Sequence, residues 1–548
     1  MNRKRTMWIL AGLTVLLMSL PFLVEGFGWT ALFGLVPLLC MERIATEQGI
    51  RRFWLWHYGT FVVWNAVTTW WIWNATPGGA IFAILANSFQ MSLIFGVFRW
   101  SRKRLGGALP YIFLAAMWIA WERFYLVSAE ISWPWLVFGN AFAGTTPLIQ
   151  WYEYTGSLGG SLWVWTVNLA VFGIMVTLSD GRWHRFWPLG RVSALAATVL
   201  ALFGPMALSL ALLNREEPQG ESIDVVIAQP NFDPYAKFGG LSRDRQNAIL
   251  LDLFRRGLKS FGAGAGIDRS PGSSPAGARP VLLVAPETFT PDVITNDVPS
   301  GRTFNRFRSF LLDYPASAIL FGASSHTYIE SPSKPSHTAR PAGPGRWRES
   351  HNSALICDAA GNYDIYHKSK LVVGTELTPY PAIFCPIDDL LGGVMGRCVG
   401  QEEPSNLRFC AVSGDTVSVA PVICYESVYG EYCTGYVRKG ASVLAIITND
   451  AWWGNTAGHR QHLNYARLRA IETRRDIIRC ANTGISAFID CKGNILERTP
   501  WWESAILTGS VPTRARLTGF VRWGDIPGRI SVLVFLLLGA AALFRRRK

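Results

Sequence analysis

Three short segments end an apolar run on an ionisable side chain. The first is Val281-Leu282-Leu283-Val284-Ala285-Pro286-Glu287. The second is Tyr366-His367-Lys368, followed by Gly374-Thr375-Glu376. The third is Ala420-Pro421-Val422-Ile423-Cys424-Tyr425-Glu426. Strand ends are where α/β proteins place functional groups. Singly, each residue has a plain reading: a carboxylate that caps a turn, a solvated lysine, a cysteine that packs as a small hydrophobe. Together they supply a base, a cation and a nucleophile, which covalent acyl transfer requires.

An ordinary thiol has a pKa of about 8.5, so little thiolate exists at neutral pH. Glu287 is placed to take the Cys424 proton as general base. The Lys368 ammonium would favour the thiolate and then the oxyanion, with the Tyr425 backbone N–H as a second donor. Trp452 and Trp453, close behind in sequence, would either shield a thioester from water or pack in the core. His459 and His462 offer two nitrogens without an evident third ligand. They read as residues of a helix start at the surface, and no metal or other cofactor is expected.

The elements that must carry these groups divide the 548 residues in two. Half of the chain is hydrophobic, only 16% is charged, and 24 residues are Trp. Such a chain suits a membrane better than water. Its +14 net charge invites a nucleic-acid reading. The cations instead cluster beside apolar runs, as at Arg3-Lys4-Arg5, Arg51-Arg52 and Arg545-Arg546-Arg547-Lys548, so nucleic acid is excluded as a partner. Eight runs are long enough, or nearly so, to cross a bilayer: Met7–Val24, Phe27–Met41, Trp54–Trp73, Ala80–Val97, Leu109–Val127, Ser161–Leu178, Val192–Leu213 and Ile530–Phe544. The first follows a basic stretch without a small-residue cleavage site, so it reads as a retained helix.

Putting Arg3-Lys4-Arg5 in the cytoplasm leaves Arg43, Arg99, Arg182 and Arg185 inside as well. The loops on the other side contain no Lys or Arg up to Gly160. The expected division is therefore a helical membrane domain at 1–213, an extracytoplasmic α/β domain at 214–525, and a last span with a basic tail at 526–548. Glu122 and Arg123 near the end of the fifth run either snorkel to the outer surface or form a polar cluster supporting a site. In the α/β domain, strands are expected at Ile223–Ala228, Val281–Ala285, Ala318–Phe321, Ser353–Cys357, Val417–Ile423, Ser442–Thr448 and Ser486–Ile489. Helices are expected at Arg243–Lys259 and His462–Arg475. Gly262–Arg279 and Ser331–Gly345 read as flexible insertions. Cys385, Cys398 and Cys410 are close enough in sequence for a disulfide among them, with the pairing open.

Glu287 in Ala-Pro-Glu, Lys368 in Tyr-His-Lys and Cys424 in Cys-Tyr-Glu resemble the catalytic triad of the nitrilase superfamily. The chain around them resembles its membrane-embedded branch, the apolipoprotein N-acyltransferases. The blocks that carry this are Glu122-Arg123 with Ser132-Trp133-Pro134-Trp135 and Gly139, Thr448-Asn449-Asp450-Ala451-Trp452-Trp453-Gly454, Ala466-Arg467, and Asn482-Thr483-Gly484-Ile485. Val373-Gly374-Thr375-Glu376 departs from the Pro-Phe-Gly-Glu common in the family but keeps the glutamate eight residues after Lys368. The resemblance implies an α-β-β-α sandwich and supporting roles for Glu376 and Glu426 around the lysine. It also implies a monomer in the bacterial inner membrane. There an acyl chain passes from a phospholipid to Cys424, then to the α-amine of a diacylated apolipoprotein. Two rivals stand beside it. A membrane-tethered amidase or nitrilase would use water as acceptor. A transporter or receptor would leave the three residues without joint purpose.

Overall fold

The computed structural model describes residues 3–180, 190–233, 240–265, 280–410 and 416–544. Arg182, Arg185, the basic tail and most of the Gly262–Arg279 insertion lie outside them. The chain forms two compact units. One comprises residues 1–216, 456–472 and 518–548, the other residues 217–455 and 473–517.

In the helical unit, each of the eight expected runs contains a helix. Six are long and apolar enough to cross a membrane: Arg3–Leu23, Gly28–Glu47 (a broken helix), Pro77–Ser101, Tyr152–Ser179, Arg191–Leu213 and Ile526–Phe544. Phe53–Thr69 and Leu109–Val127 are also helical but fall outside that six. The first has only 17 residues, and the second carries Glu122 and Arg123. Of the two readings of that pair, the polar cluster holds. Glu122 is buried, and its Oε1 accepts the Phe138 N–H at 2.8 Å and the Trp118 indole N–H at 3.2 Å. Arg123 pairs with Asp525 at 2.9 Å.

Glu122 thus anchors the tight 3-10 segment Phe138–Phe142. There Gly139 leaves no room for a side chain, since a Cβ would sit 1.7 Å from the Ser157 carbonyl oxygen. Trp135, one turn earlier, donates to Gln461 at 2.6 Å, and its carbonyl accepts the Tyr465 hydroxyl at 2.7 Å. The tryptophan-rich signature is therefore a hydrogen-bonded plug that ties helix Ala457–Thr473 to the membrane helices.

The other unit holds two sheets. The first has the order β14-β1-β2-β4-β6-β5, with β3 added beside β4 and β7 beside β6. Its strands are β1 (Ser222–Gln229), β2 (Val281–Val284), β3 (Thr290–Ile294), β4 (Ser317–Glu330), β5 (Arg340–Gly343), β6 (Arg346–Asp358), β7 (Tyr363–His367) and β14 (Ala505–Pro512). The second has the order β13-β12-β11-β10-β9-β8. It uses β8 (Leu407–Cys410), β9 (Thr416–Ile423), β10 (Val443–Thr448), β11 (Ile477–Ala481), β12 (Ala487–Ile489) and β13 (Ile495–Arg498). Where the sheets face each other, the Cys480 thiol of β11 reaches the carbonyls of Ala228 and Val284 at 3.4 Å each.

Helices Arg243–Ala265 and Arg302–Asp313 cover the first sheet. Phe254, Phe304, Phe307 and Leu311 join Val226, Leu283 and Phe321 in one buried cluster. Phe304, Phe307 and Leu311 recur at helical spacing, so a single face meets the core. The result is the layered sandwich expected from the resemblance.

Two expectations are corrected. Ser331–Gly345 is ordered: Arg340–Gly343 forms β5 and pairs with β6 at the tip of the long β4–β6 ladder. Its Gly and Pro shape a hairpin rather than a linker. Cys385 and Cys398 are thiols, not halves of a disulfide, and the Cys410 side chain lies outside the described residues.

Gly322, on β4, bears directly on the candidate base. A Cβ there would lie 2.6 Å from both the Glu287 Cα and the Thr288 nitrogen. Gly322→Ala is therefore expected to push the Glu287 turn away. It should cut activity by at least about tenfold while costing about 1–3 kcal/mol of stability, read by parallel activity assays and thermal melts.

Candidate functional site

Each of the three groups comes from the end of a strand. Glu287 follows β2, which runs parallel to β1 and β4. Lys368 directly follows β7. Cys424 follows β9, parallel to β10. The backbone turns sharply at two of these ends. Cys424 itself has φ +49°, and Thr288, next to Glu287, has φ +47°. Left-handed geometry at residues with a Cβ costs about 1–3 kcal/mol each and survives only where surrounding contacts enforce it. At Cys424 those contacts include the Ser427 hydroxyl, which donates to the Cys424 carbonyl at 2.7 Å.

The lysine is buried with its ammonium between two carboxylates. Lys368 Nζ lies 3.1 Å from Glu287 Oε1 and 3.0 Å from Glu376 Oε2. Asn352 Nδ2 donates to the same two acids, at 2.8 Å to Glu287 and 2.6 Å to Glu376. Backbone N–H groups also engage both acids. Glu287 Oε2 accepts the Asn449 N–H at 3.1 Å, and Glu376 Oε2 accepts the Val372 N–H at 2.8 Å. Burial by itself would strip the proton from Lys368. Glu287 and Glu376 outweigh it and hold the lysine pKa well above its ordinary value, so it is an ammonium at any physiological pH.

Cys424 is half-buried and senses this cluster. Its thiol pKa is pushed well up, first by burial and then by the negative charge of Glu287. Lys368 pulls it down, Asp450 raises it, and a hydrogen bond with the Thr448 side chain lowers it. The resting sulfur is therefore a protonated thiol and needs a base at the moment of attack. Glu287 is the carboxylate that acts on it most strongly.

Glu426 fastens the cysteine turn to the lysine segment. It is fully buried. Its Oε1 accepts from the Tyr366 hydroxyl at 2.5 Å and the Ser369 N–H at 2.7 Å. Its Oε2 accepts from the Ile423 N–H at 2.8 Å and the Tyr436 hydroxyl at 3.2 Å. One carboxylate thus holds the residues before Cys424 and after Lys368. Tyr425, whose N–H was the expected second donor, is buried in the turn that follows Cys424.

The structure gathers Glu287, Lys368 and Glu376 into one ion cluster, with Cys424, Tyr425 and Glu426 on the adjoining turn. Of the two readings of the aromatic pair, core packing does not hold: Trp452 is 38% exposed and Trp453 is half-buried. The surface placement of His459 and His462 is corrected. Both are buried in the helical unit, with the His462 ring 5.9 Å from Trp135.

Two residues escaped the sequence reading. Asn352 sits inside β6, one residue before the expected strand Ser353–Cys357, and no motif marks it. Arg479, on β11, is buried against Asp450 at 2.7 Å, and Asp450 also accepts from Thr448 at 2.7 Å. That pair secures the loop whose Asn449 N–H holds Glu287. An arginine within an apolar strand was the available signal.

Fold and comparisons together define an enzyme of carbon-nitrogen hydrolase architecture that also carries a polytopic helical unit. The Carbon-nitrogen hydrolase family matches residues 332–518, and the Apolipoprotein N-acyltransferase N-terminal domain matches residues 14–170. The apolipoprotein N-acyltransferase of Chlorobaculum tepidum is 27% identical over 96% of this chain and 93% of its own length. That of Pseudomonas putida is 26% identical over 98% and 96%. A nitrilase-superfamily structure from Saccharomyces cerevisiae aligns with 55% of this chain and 93% of its own, at 13% identity and a TM-score of 0.36. The chain belongs to the apolipoprotein N-acyltransferase family.

Two outcomes follow from the geometry. Asn352→Leu removes a donor shared by two buried carboxylates. At about 1.5–3 kcal/mol for a hydrogen bond to a charged group, the rate of thioester formation should fall by one to two orders of magnitude, as measured by single-turnover kinetics. A raised thiol pKa means that the fold favours S–H, so the thiolate appears only at higher pH. Alkylation of Cys424 by iodoacetamide, followed by mass spectrometry, should still be climbing above about pH 10, where an ordinary thiol with a pKa of about 8.5 has levelled off. Glu287→Gln should move that curve to lower pH, and Lys368→Met to higher pH.

Proposed function

We propose that Glu287, Lys368 and Cys424 are the catalytic triad of an acyltransferase with two half-reactions. In the first, Cys424 Sγ attacks the ester carbonyl carbon of a membrane phospholipid while Glu287 takes the thiol proton. The Lys368 ammonium and the Tyr425 N–H stabilise the tetrahedral oxyanion. Collapse breaks the ester C–O bond. The lysophospholipid alkoxide leaves with the proton from Glu287, and Cys424 keeps the acyl group as a thioester. In the second, the α-amine of a diacylglyceryl-cysteine at the N-terminus of an apolipoprotein attacks the thioester. Glu287 accepts the amine proton and returns it to the departing sulfur. Glu376 and Asn352 hold Lys368 and Glu287 in place, and Glu426 holds the turn.

The observation that carries this reading is the buried Lys368 between Glu287 and Glu376 beside a thiol that only a neighbouring base can activate. The family's acceptor is an amine, which favours acyl transfer over the hydrolysis of soluble relatives. A lipid substrate is supported by helix Pro381–Leu390 and the residues just after it, in the segment behind Glu376. There Ile383, Ile387, Leu390, Leu391 and Val394 are exposed, and an apolar patch of this kind marks a surface that meets lipid or protein. The distribution of Lys and Arg supports an inner-membrane protein with residues 214–525 on the extracytoplasmic side, and the family resemblance is consistent with a monomer. Residues 1–213, 214–525 and 526–548 are then the membrane, catalytic and anchoring segments of the chain.

Incubating the purified protein with phospholipid should add one acyl mass to the peptide containing Cys424, and a diacylated lipopeptide should discharge it as an N-acyl product. Cys424→Ala should show neither while keeping its melting temperature. Release of the acyl group as free acid, with the lipopeptide left unmodified, would instead indicate a hydrolase.

A further inference from the structure

Helices Leu109–Val127, Tyr152–Asp180, Arg191–Leu213 and Ile526–Phe544 do not pack flush. They leave between them a half-open cleft of about 600 Å³, inside the roughly 300–1,000 Å³ typical of ligand sites. All of its lining belongs to the helical unit, and Glu287, Lys368 and Cys424 take no part in it. The gap has a sequence cause: Ala115, Ala116, Ala170, Gly173, Ala197 and Ala201 line it with side chains of one carbon or none. Along the first helix it runs from Ala108 to Ile119, about 16 Å at 1.5 Å per residue. It is a slot rather than a sphere.

No charged side chain lines it. An empty cleft of this size forfeits dispersion contacts along its walls, and water gains little from an apolar lining. Between membrane helices the surrounding fluid is hydrocarbon, so an acyl chain is the occupant that fits by chemistry and by shape. Close in sequence to the end formed by Ile526 and Ile530 are two cations that do not themselves line the slot. Arg529 is exposed one residue before Ile530, and Arg522 is exposed four before Ile526. Guanidinium groups pair well with phosphate.

We propose that this slot is a binding site for one anionic glycerophospholipid. One acyl chain lies among the four helices and its phosphate lies at Arg529. The lipid is a structural component of the helical unit, in addition to any lipid consumed as substrate. A ligand that binds only the folded state adds stability by mass action.

The test uses the full-length Cys424→Ala protein, which cannot turn lipid over, delipidated in detergent and titrated with phosphatidylglycerol. Native mass spectrometry should show one retained lipid, and the melting temperature should rise with its concentration. Ala170→Phe fills the slot, so it should weaken that binding by at least about tenfold, a change of about 1.4 kcal/mol, and abolish the thermal shift. Ala197→Leu serves the same purpose should the larger substitution fail to fold. Arg529→Gln should retain binding but lose the preference for phosphatidylglycerol over diacylglycerol. Unchanged lipid stoichiometry and thermal shift in a folded slot-filling variant would overturn the site. A wild-type lining that binds diacylglycerol as tightly as phosphatidylglycerol would overturn the role of the phosphate.

Discussion

A lysine ammonium buried away from water is unfavourable by several kcal/mol unless its charge is matched at close range. Lys368 is matched twice, by Glu287 and by Glu376. Much of the surrounding architecture serves that arrangement. Because the two acids share one cation, each needs further donors, and Asn352, Asn449 and Val372 supply them from β6, the loop after β10 and the turn after Lys368. Remove a donor and a buried carboxylate is left underpaired, with a penalty larger than the mean value of the bond. The site is stiff because its charges are buried.

That stiffness bears on the chemistry. The cysteine sits at a left-handed backbone position and holds its proton more tightly than a free thiol does. It is poorly reactive at rest. A protonated thiol does not linger as a thiolate open to oxidation, and in the proposed mechanism it attacks only when Glu287 can take the proton and Lys368 can meet the developing oxyanion. Preorganised donors of this kind cost no reorganisation during the reaction.

The helical unit solves a different problem by similar means. Its signature residues are a hydrogen-bonded plug: Glu122 on the Phe138 amide, Trp135 on Gln461, and Gly139 fitted against Ser157. Polar groups among membrane helices must find partners within the protein. Here they do so through a segment, Ala457–Thr473, that arrives from far along the chain. A boundary drawn on hydropathy alone at residue 213 therefore separates by sequence what packing joins.

The sequence by itself determined the apolar runs, the alternation that makes the sandwich, and the placement of Glu287, Lys368 and Cys424 at strand ends. Each of these is written in local hydropathy or in a short motif at a strand end. Tertiary structure decided the rest. Asn352 lies in an unremarkable stretch of β6 and becomes important only because β4 and β6 bring it between two acids 65 residues upstream and 24 downstream. The order of Ser331–Gly345 comes from pairing with β6, which composition does not encode. His459 and His462 look like surface residues on a polar helix, yet packing buries both. The physical reason is common to all three: partners for a polar group, a turn or a helix face are chosen by long-range contacts, and a single sequence records only the groups, not the distances between them.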